Sequence, residues 1–128
     1  MSEKHTQNAI LHAFATRPDI RLWRQNVGQA VPLSTVKQAL KAMQQHRWAD
    51  ANLILRTAYV IKFGVKGQAD LSGILMGSGK RLEIECKSAT GTPREDQVVY
   101  GETIERFGGI YVLARSVEDV SVILDKEL

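Results

Sequence analysis

The sequence predicts an α/β fold in which helices flank a mixed β-sheet, all within one domain of residues 1–128. Apolar residues recur at helical spacing near both ends of the chain, and short alternating segments bounded by glycine occupy its middle. The predicted order is helix, strand, helix, three strands, helix, strand, helix, which is typical of a sheet covered by helices. A length of 128 residues suits a single domain with one hydrophobic core.

The first predicted helix covers residues 2–16. Ser2 can cap its N-terminus, and Ile10 and Phe14 lie on one apolar stripe. The same stripe passes through Gln7 and Glu3 toward the N-terminus. The Glu3 carboxylate therefore lies on the side of the helix that is expected to pack against the rest of the protein, which is unusual for an acidic residue.

The next two predicted elements are a strand at residues 20–28, which ends at a glycine turn, and a helical segment at residues 34–56. Ser34 is its expected cap. An apolar stripe along this segment comprises Val36, Leu40 and Met43. The stripe serves either to pack on the protein's own sheet or to contact a second copy.

Three short strands are expected after residue 57, in the segments 58–64, 69–76 and 80–88. Gly77-Ser78-Gly79 predicts a tight hairpin between the last two of them.

Capping signals then mark the final elements. Thr92 is the expected cap of a helix that has Pro93 in its first turn, a capping box closed by Glu95, and its end at Gly108. A buried strand and a closing helix with a second box, from Ser116 to Asp119, complete the chain.

Composition sets broad limits. The formal net charge of +3 is compatible with a polyanionic partner but does not establish one. The single cysteine, Cys86, excludes an internal disulfide, and its position on the apolar side of a strand predicts a core residue. No apolar run approaches the ~18 residues that cross a membrane, and the N-terminus lacks the apolar region of a signal peptide. We therefore expect a cytoplasmic protein.

One strand carries three charges on one face. In the segment RLEIECK, alternation directs Glu83, Glu85 and Lys87 to one side and the apolar residues to the other. A divalent cation is the natural compensation for carboxylates grouped in this way. The hairpin brings Asp70 near Glu85 or Lys87, so that two carboxylates and an ammonium converge at one edge of the sheet.

This cluster is suited to phosphate chemistry. Asp70 and Glu85 would hold Mg²⁺ or Mn²⁺, which acidifies a bound water and offsets charge on a phosphate. Lys87 would orient or help deprotonate that water. The alternative is an exposed strand face on which Glu85 and Lys87 form an ordinary salt bridge.

The segments GVKGQADLSGIL, GKRLEIECKSATG and TPREDQ together resemble the VRR-NUC family, a branch of the PD-(D/E)xK nucleases. The resemblance covers residues 2–26 and 60–120. It implies a restriction-endonuclease-like fold, with Asp70, Glu85, Lys87 and Gln97 as catalytic residues. It also implies that the backbone carbonyl of Cys86 binds metal.

Glu3 matches the helix glutamate of the family, which serves as a catalytic residue and a further metal ligand. Arg24 and Asn26 match a second family element and would reach phosphate or the carboxylates. Family members often have a proline before the aspartate, where this chain has Ala69.

Residues 30–57 form a helical insertion relative to the family, suited to a dimer surface or a substrate clamp. Basic residues on it, Lys37 and Lys41, are candidates for contact with a DNA backbone or are simply solvated.

The resemblance implies a Mg²⁺- or Mn²⁺-dependent endonuclease that acts as a homodimer on branched DNA, similar to a Holliday-junction resolvase. It also implies action in the cytoplasm of a bacterial or phage-infected cell. The alternatives are a non-selective or sequence-specific DNA endonuclease and a non-catalytic DNA-binding module on the same fold.

Overall fold

The computed structural model describes residues 2–128, and the chain divides into two compact units. The larger, which we call the core unit, comprises Val65–Leu128 and the N-terminal segment that ends at Asn26. The smaller, the insertion unit, is Val27–Gly64, and the predicted insertion at residues 30–57 falls inside it. The α/β class is confirmed, with a mixed four-stranded sheet in the core unit and a two-stranded sheet in the insertion unit.

Five helices and six strands follow one another along residues 2–128. In chain order they are α1 (Glu3–Phe14), β1 (Ile20–Arg24), β2 (Gly28–Ala30), α2 (Leu33–Gln44), α3 (Trp48–Arg56), β3 (Ile61–Phe63), β4 (Leu71–Leu75), β5 (Arg81–Cys86), α4 (Glu95–Arg106), β6 (Ile110–Ala114) and α5 (Val117–Glu127). None of these helices has the length and apolar character needed to span a membrane.

The sheet of the core unit has the strand order β1-β4-β5-β6. The predicted hairpin is confirmed: β4 pairs antiparallel with β5, and Gly77 and Gly79 adopt the positive φ angles +85° and +68° that the turn requires. β6 pairs parallel with β5, because α4 crosses over between them. β5 is therefore an interior strand, and both of its faces are covered.

The apolar face of β5 packs under α1 and α5. Leu82, Ile84 and Cys86 are completely buried there in the main hydrophobic cluster, which also includes Ile10, Phe14, Val120 and Leu124. The prediction of Cys86 as a core residue is confirmed. Burial raises the pKa of its thiol to about 12, which keeps the sulfur protonated and unreactive.

The start of α4 differs from the prediction. Arg94, and not Thr92, is the N-cap, and the side chain that reaches back to the N-cap backbone is that of Gln97, and not that of Glu95. The side-chain oxygen of Gln97 accepts the N–H of Arg94 at 2.9 Å, so this half of the capping box lies two residues further along the chain than predicted. The cap of α5 is as predicted, because the hydroxyl of Ser116 accepts the N–H of Asp119.

Three predictions about residues 20–56 are wrong. The helical segment 34–56 is interrupted at His46, which has a φ of +58°, so α2 and α3 are separate helices. The N-cap of α2 is Pro32 and not Ser34. The predicted strand at 20–28 is likewise two strands, of which β2 pairs with β3 in an antiparallel ribbon.

The predicted apolar stripe on α2 is only partly right. Leu40 is 51% exposed, whereas the buried positions of α2 are Ala39 and Ala42. The close approach of α2 and α3 selects small side chains, so the larger ones lie at the margin of the contact.

Gly101 provides a test of the packing between α4 and β6. A β-carbon at this position would lie 2.6 Å from the ring of Tyr111. Gly101→Ala would gain about 1 kcal/mol of helix propensity, but overpacking costs about 1–3 kcal/mol. We expect a net loss of up to about 2 kcal/mol in the free energy of unfolding, measured by urea titration. Glu102→Ala, on the exposed side of α4, is the control. A stabilised Gly101→Ala would contradict the packing.

Candidate functional site

The second face of β5 lies under α4 and carries Glu83 and Glu85, and Lys87 follows directly after the strand. Their exposed fractions are 0%, 3% and 6%, so three ionisable side chains in alternate positions are buried. The predicted alternation is confirmed, and the alternative of an exposed strand face is wrong. Burying such groups is unfavourable unless each charge finds partners.

Asp70 joins this face as predicted. It directly precedes β4, and the register of the hairpin pairs the next residue, Leu71, with Ile84. One oxygen of Asp70 accepts the backbone N–H of Cys86 at 2.9 Å. Burial raises the pKa of Asp70, and the hydrogen bond from Cys86 partly opposes that shift. The carboxylate therefore lies at the end of β5, beside Glu85.

Lys87 completes the group that the sequence predicted. Its ammonium lies 3.6 Å from Glu85 Oε1 and 3.9 Å from Glu3 Oε1. One lysine thus faces three carboxylates, those of Glu3, Asp70 and Glu85. The cluster retains an excess of negative charge.

The structure does not bring Glu3 into a set of three metal-binding side chains. Among residues 2–128, no three side chains of histidine, cysteine, aspartate or glutamate are grouped closely enough to hold an ion. Glu3 instead approaches the lysine from the start of α1, where Ser2 caps the helix. The side chains that could provide metal ligands are therefore Asp70 and Glu85.

Only one of the two carboxylate oxygens of Glu85 has a hydrogen-bond partner. Its Oε1 accepts a hydrogen bond of 2.7 Å from Gln97 Nε2, but Oε2 has no partner among the described residues although it is buried. Burial, and secondarily the charge of Asp70, raises the pKa of Glu85 to about 7. A buried carboxylate oxygen without a donor is rare in native proteins and indicates a missing partner.

A divalent cation fits this arrangement. Asp70 and Glu85 are hard oxygen donors, which Mg²⁺ and Mn²⁺ prefer, and two carboxylates leave room for water and phosphate ligands. The implied third ligand, the carbonyl of Cys86, belongs to the residue whose N–H already fixes Asp70. A positive charge at this point would offset the excess negative charge and give Glu85 Oε2 a partner.

Gln97 points inward, as expected for a supporting residue. It is 4% exposed, and its amide has two partners. The carbonyl oxygen accepts the backbone N–H of Arg94 at the start of α4, while the NH₂ group donates to Glu85. The start of α4 and the orientation of Glu85 are therefore coupled through one side chain.

The structure adds residues that the sequence did not indicate. Glu83 accepts hydrogen bonds from Arg81 Nε at 2.5 Å, Tyr100 OH at 2.8 Å and Gln25 Nε2 at 2.7 Å. Its donors come from β5, from α4 and from the residue after β1. No local sequence pattern marks Gln25 or Tyr100 as partners, because they lie 58 and 17 positions away.

Gln25 also holds the loop that carries Asp70. Its backbone N–H donates to the Asp70 carbonyl at 2.9 Å, and its side-chain oxygen accepts from Gln68. Gln68 in turn accepts the N–H of Val65. Glu83 therefore helps to position Asp70 without being part of the carboxylate cluster.

The remaining predicted site residues lie outside the cluster. The guanidinium of Arg24 donates to Gln7, at 2.9 Å, and to Asn8, both on α1. Asn26 is exposed beyond the end of β1, so the predicted alternation with Arg24 does not extend to it. Lys37 and Lys41 are exposed on α2 of the insertion unit.

Comparison with known proteins identifies no relative. No family model matches the chain, no curated protein matches it, and no solved structure matches it. The chain's own geometry therefore defines the class: an α/β protein with a buried glutamate, a buried lysine and a half-buried aspartate at the end of a central strand.

The substitution Glu85→Gln tests whether the buried charge of Glu85 destabilises the metal-free protein. In metal-free protein the pKa of Glu85 is raised from 4.5 to about 7, so the folded state binds this proton more tightly than the unfolded state. Stability should therefore fall as pH rises from about 4.5 to about 7. The variant carries no such charge, so it should be more stable than the parent at pH 8 in chelator, by at most about 3 kcal/mol. Urea unfolding across this pH range provides the measurement.

Glu83→Gln is the matched control, since it makes the same change on the same strand face. Both oxygens of Glu83 have donors, so this variant should lose stability instead of gaining it. Equal effects of the two substitutions would contradict the distinction drawn between the two glutamates.

Proposed function

We propose that the protein is a metal-dependent DNA endonuclease of the VRR-NUC type, with a restriction-endonuclease-like fold, that hydrolyses phosphodiester bonds in branched DNA. One observation carries the proposal: the buried Glu85 carboxylate, with one oxygen unpartnered, lies beside Asp70 and Lys87.

The order of elements supports the proposal. The strand with the ExK residues is central in a mixed sheet, the aspartate precedes the neighbouring strand, and the glutamine begins the following helix. This is the order that the resemblance to VRR-NUC proteins implies. The missing proline before Asp70 is compensated by the bonds that Gln25 makes to this loop.

The chain's own groups have separable roles. When bound, the metal ion would supply a Lewis acid that activates water and stabilises charge on the phosphate. Asp70 and Glu85 would hold it, and Gln97 keeps Glu85 Oε1 occupied so that Oε2 is free to bind. Lys87, held as an ammonium between Glu85 and Glu3, would orient the attacking water and offset charge that develops on the phosphate.

A homodimer is part of the proposal. A four-way junction presents paired scissile bonds, and each chain carries one carboxylate cluster. A two-fold pair of chains would supply two clusters, and such assemblies are the commonest oligomers. Light scattering at the assay concentration measures the mass, and a strictly monomeric active protein would refute this part.

The function is tested by incubating purified protein with linear, flapped and four-way DNA, with and without Mg²⁺ or Mn²⁺. We expect cleavage only with the cation, and faster cleavage of the branched substrates. Cleavage that survives exhaustive chelation would rule out a metal-dependent nuclease. Equal cleavage of linear and four-way DNA would remove the preference for branches. Binding without any cleavage would favour a non-catalytic DNA-binding module.

Lys87→Ala should reduce the rate of cleavage by about 10²–10⁴-fold while DNA affinity changes little. The reason is that the ammonium acts on the attacking water and on charge that develops during reaction. Single-turnover rates and binding isotherms measured on the same DNA separate the two effects. Lys80→Ala is the control, because Lys80 pairs with Glu127 at the surface. Comparable losses in both variants would assign the effect to general electrostatics.

A further inference from the structure

The positive charge of the protein belongs to the insertion unit. Residues 27–64 contain five basic residues and one acidic residue, Asp50, which gives this segment a net charge of +4. The whole chain carries +3, so the remainder carries −1. The basic residues of the insertion unit are Lys37, Lys41, Arg47, Arg56 and Lys62.

The insertion unit also exposes large aromatic side chains. Trp48 is 60% exposed, Tyr59 75% and Phe63 41%. The apolar residues that it buries fully are alanines at positions 39, 42 and 51. Exposed aromatic rings among basic side chains are typical of surfaces that bind single-stranded nucleic acid, because the rings stack on bases while the cations attract phosphates.

One stripe on α3 concentrates these features. Trp48, Asn52 and Arg56 follow one another at intervals of four residues, so they share a face of the helix about 12 Å long. All three line a groove of about 470 Å³ that also includes Met43 and Leu55. Within residues 2–128, neither Asn52 nor Arg56 makes a side-chain hydrogen bond or ion pair. We call these three residues the α3 stripe.

We propose that the α3 stripe binds an unpaired strand of nucleic acid. Trp48 would stack on a base, Asn52 would hydrogen-bond to a base edge, and Arg56 would contact a phosphate. An unpaired strand is required because the bases of a duplex already stack on one another and leave no open face. This inference rests on the proposed function, since it takes a nucleic acid as the substrate, and it identifies the unpaired strand of a flapped substrate as the part bound.

Charge favours this occupant over a second copy of the chain. Two insertion units would each bring a net charge of +4 to a shared interface, and like charges oppose association. A polyanion gains from the same charge, and its affinity must then weaken as salt rises. The predicted homodimer is therefore not expected to form through this unit.

The test measures the binding of a fluorescently labelled single-stranded oligonucleotide by anisotropy in chelator, where cleavage does not interfere. Trp48→Ala should weaken binding about tenfold, the effect expected for loss of one base stack, and Trp48→Phe should restore part of the affinity. Arg56→Gln should also weaken binding and should reduce the slope of log affinity against log salt by about 0.7, the share of one phosphate on a single strand. Duplex binding should change less in all three variants.

Controls use matched residues of the core unit. Phe107→Ala removes an aromatic side chain that is 81% exposed, and Arg106→Gln removes a guanidinium at the end of α4. Neither should change the affinity for the single strand. Tryptophan fluorescence adds a direct signal: in Trp23→Phe the remaining emission comes from Trp48, and the oligonucleotide should quench it.

The results can reject binding by the α3 stripe and metal-dependent cleavage independently of each other. Wild-type affinity in both Trp48→Ala and Arg56→Gln, or equal losses in the core-unit controls, would overturn the α3 stripe while metal-dependent cleavage could still stand. A change in molecular mass in these variants, with single-strand affinity retained, would overturn it in favour of self-association. Stripe-dependent binding without metal-dependent cleavage would support the inference and reject the nuclease.

Discussion

The core unit buries two glutamates, Glu83 and Glu85, on one face of β5. Each buried carboxylate requires donors or cations, and this requirement constrains the packing around β5. Neither Glu83 nor Glu85 contacts solvent appreciably, and a buried carboxylate is tolerated only where donors or cations surround it. For Glu83 the fold supplies three donors from three separate parts of the chain. For Glu85 it supplies one donor and a lysine, and leaves the second oxygen without a partner.

This difference separates a structural carboxylate from a candidate functional one. Glu83 stabilises the arrangement of β1, β5 and α4, and through Gln25 it fixes the loop that carries Asp70. The charged state of Glu85 is made unfavourable by burial and by Asp70, which raises its pKa to about 7. Strongly perturbed carboxylates of this kind concentrate at functional sites, because the unfavourable interaction is relieved when a ligand binds.

The two units carry net charges of opposite sign. The core unit carries the carboxylate cluster and a slight negative charge, which by itself repels phosphate. The insertion unit carries the basic excess, along with exposed aromatic residues. A site that binds a cation needs an excess of carboxylates, whereas a surface that binds a polyanion needs an excess of basic side chains. If the two were adjacent, the opposite charges would pair with each other. Separating them along the chain allows each to be satisfied without neutralising the other.

Local sequence patterns were enough to predict the α/β class, the hairpin at Gly77-Ser78-Gly79, the two faces of β5 and the approach of Asp70 to Glu85. These features follow from short-range rules: glycine permits the turn, alternation assigns the faces, and hairpin register pairs the strand ends. Only the tertiary structure shows that both carboxylate oxygens of Glu83 have hydrogen-bond donors, whereas one oxygen of Glu85 has none. Their donors come from positions up to 58 residues away, and two glutamates in identical local patterns differ only in what the rest of the chain packs against them.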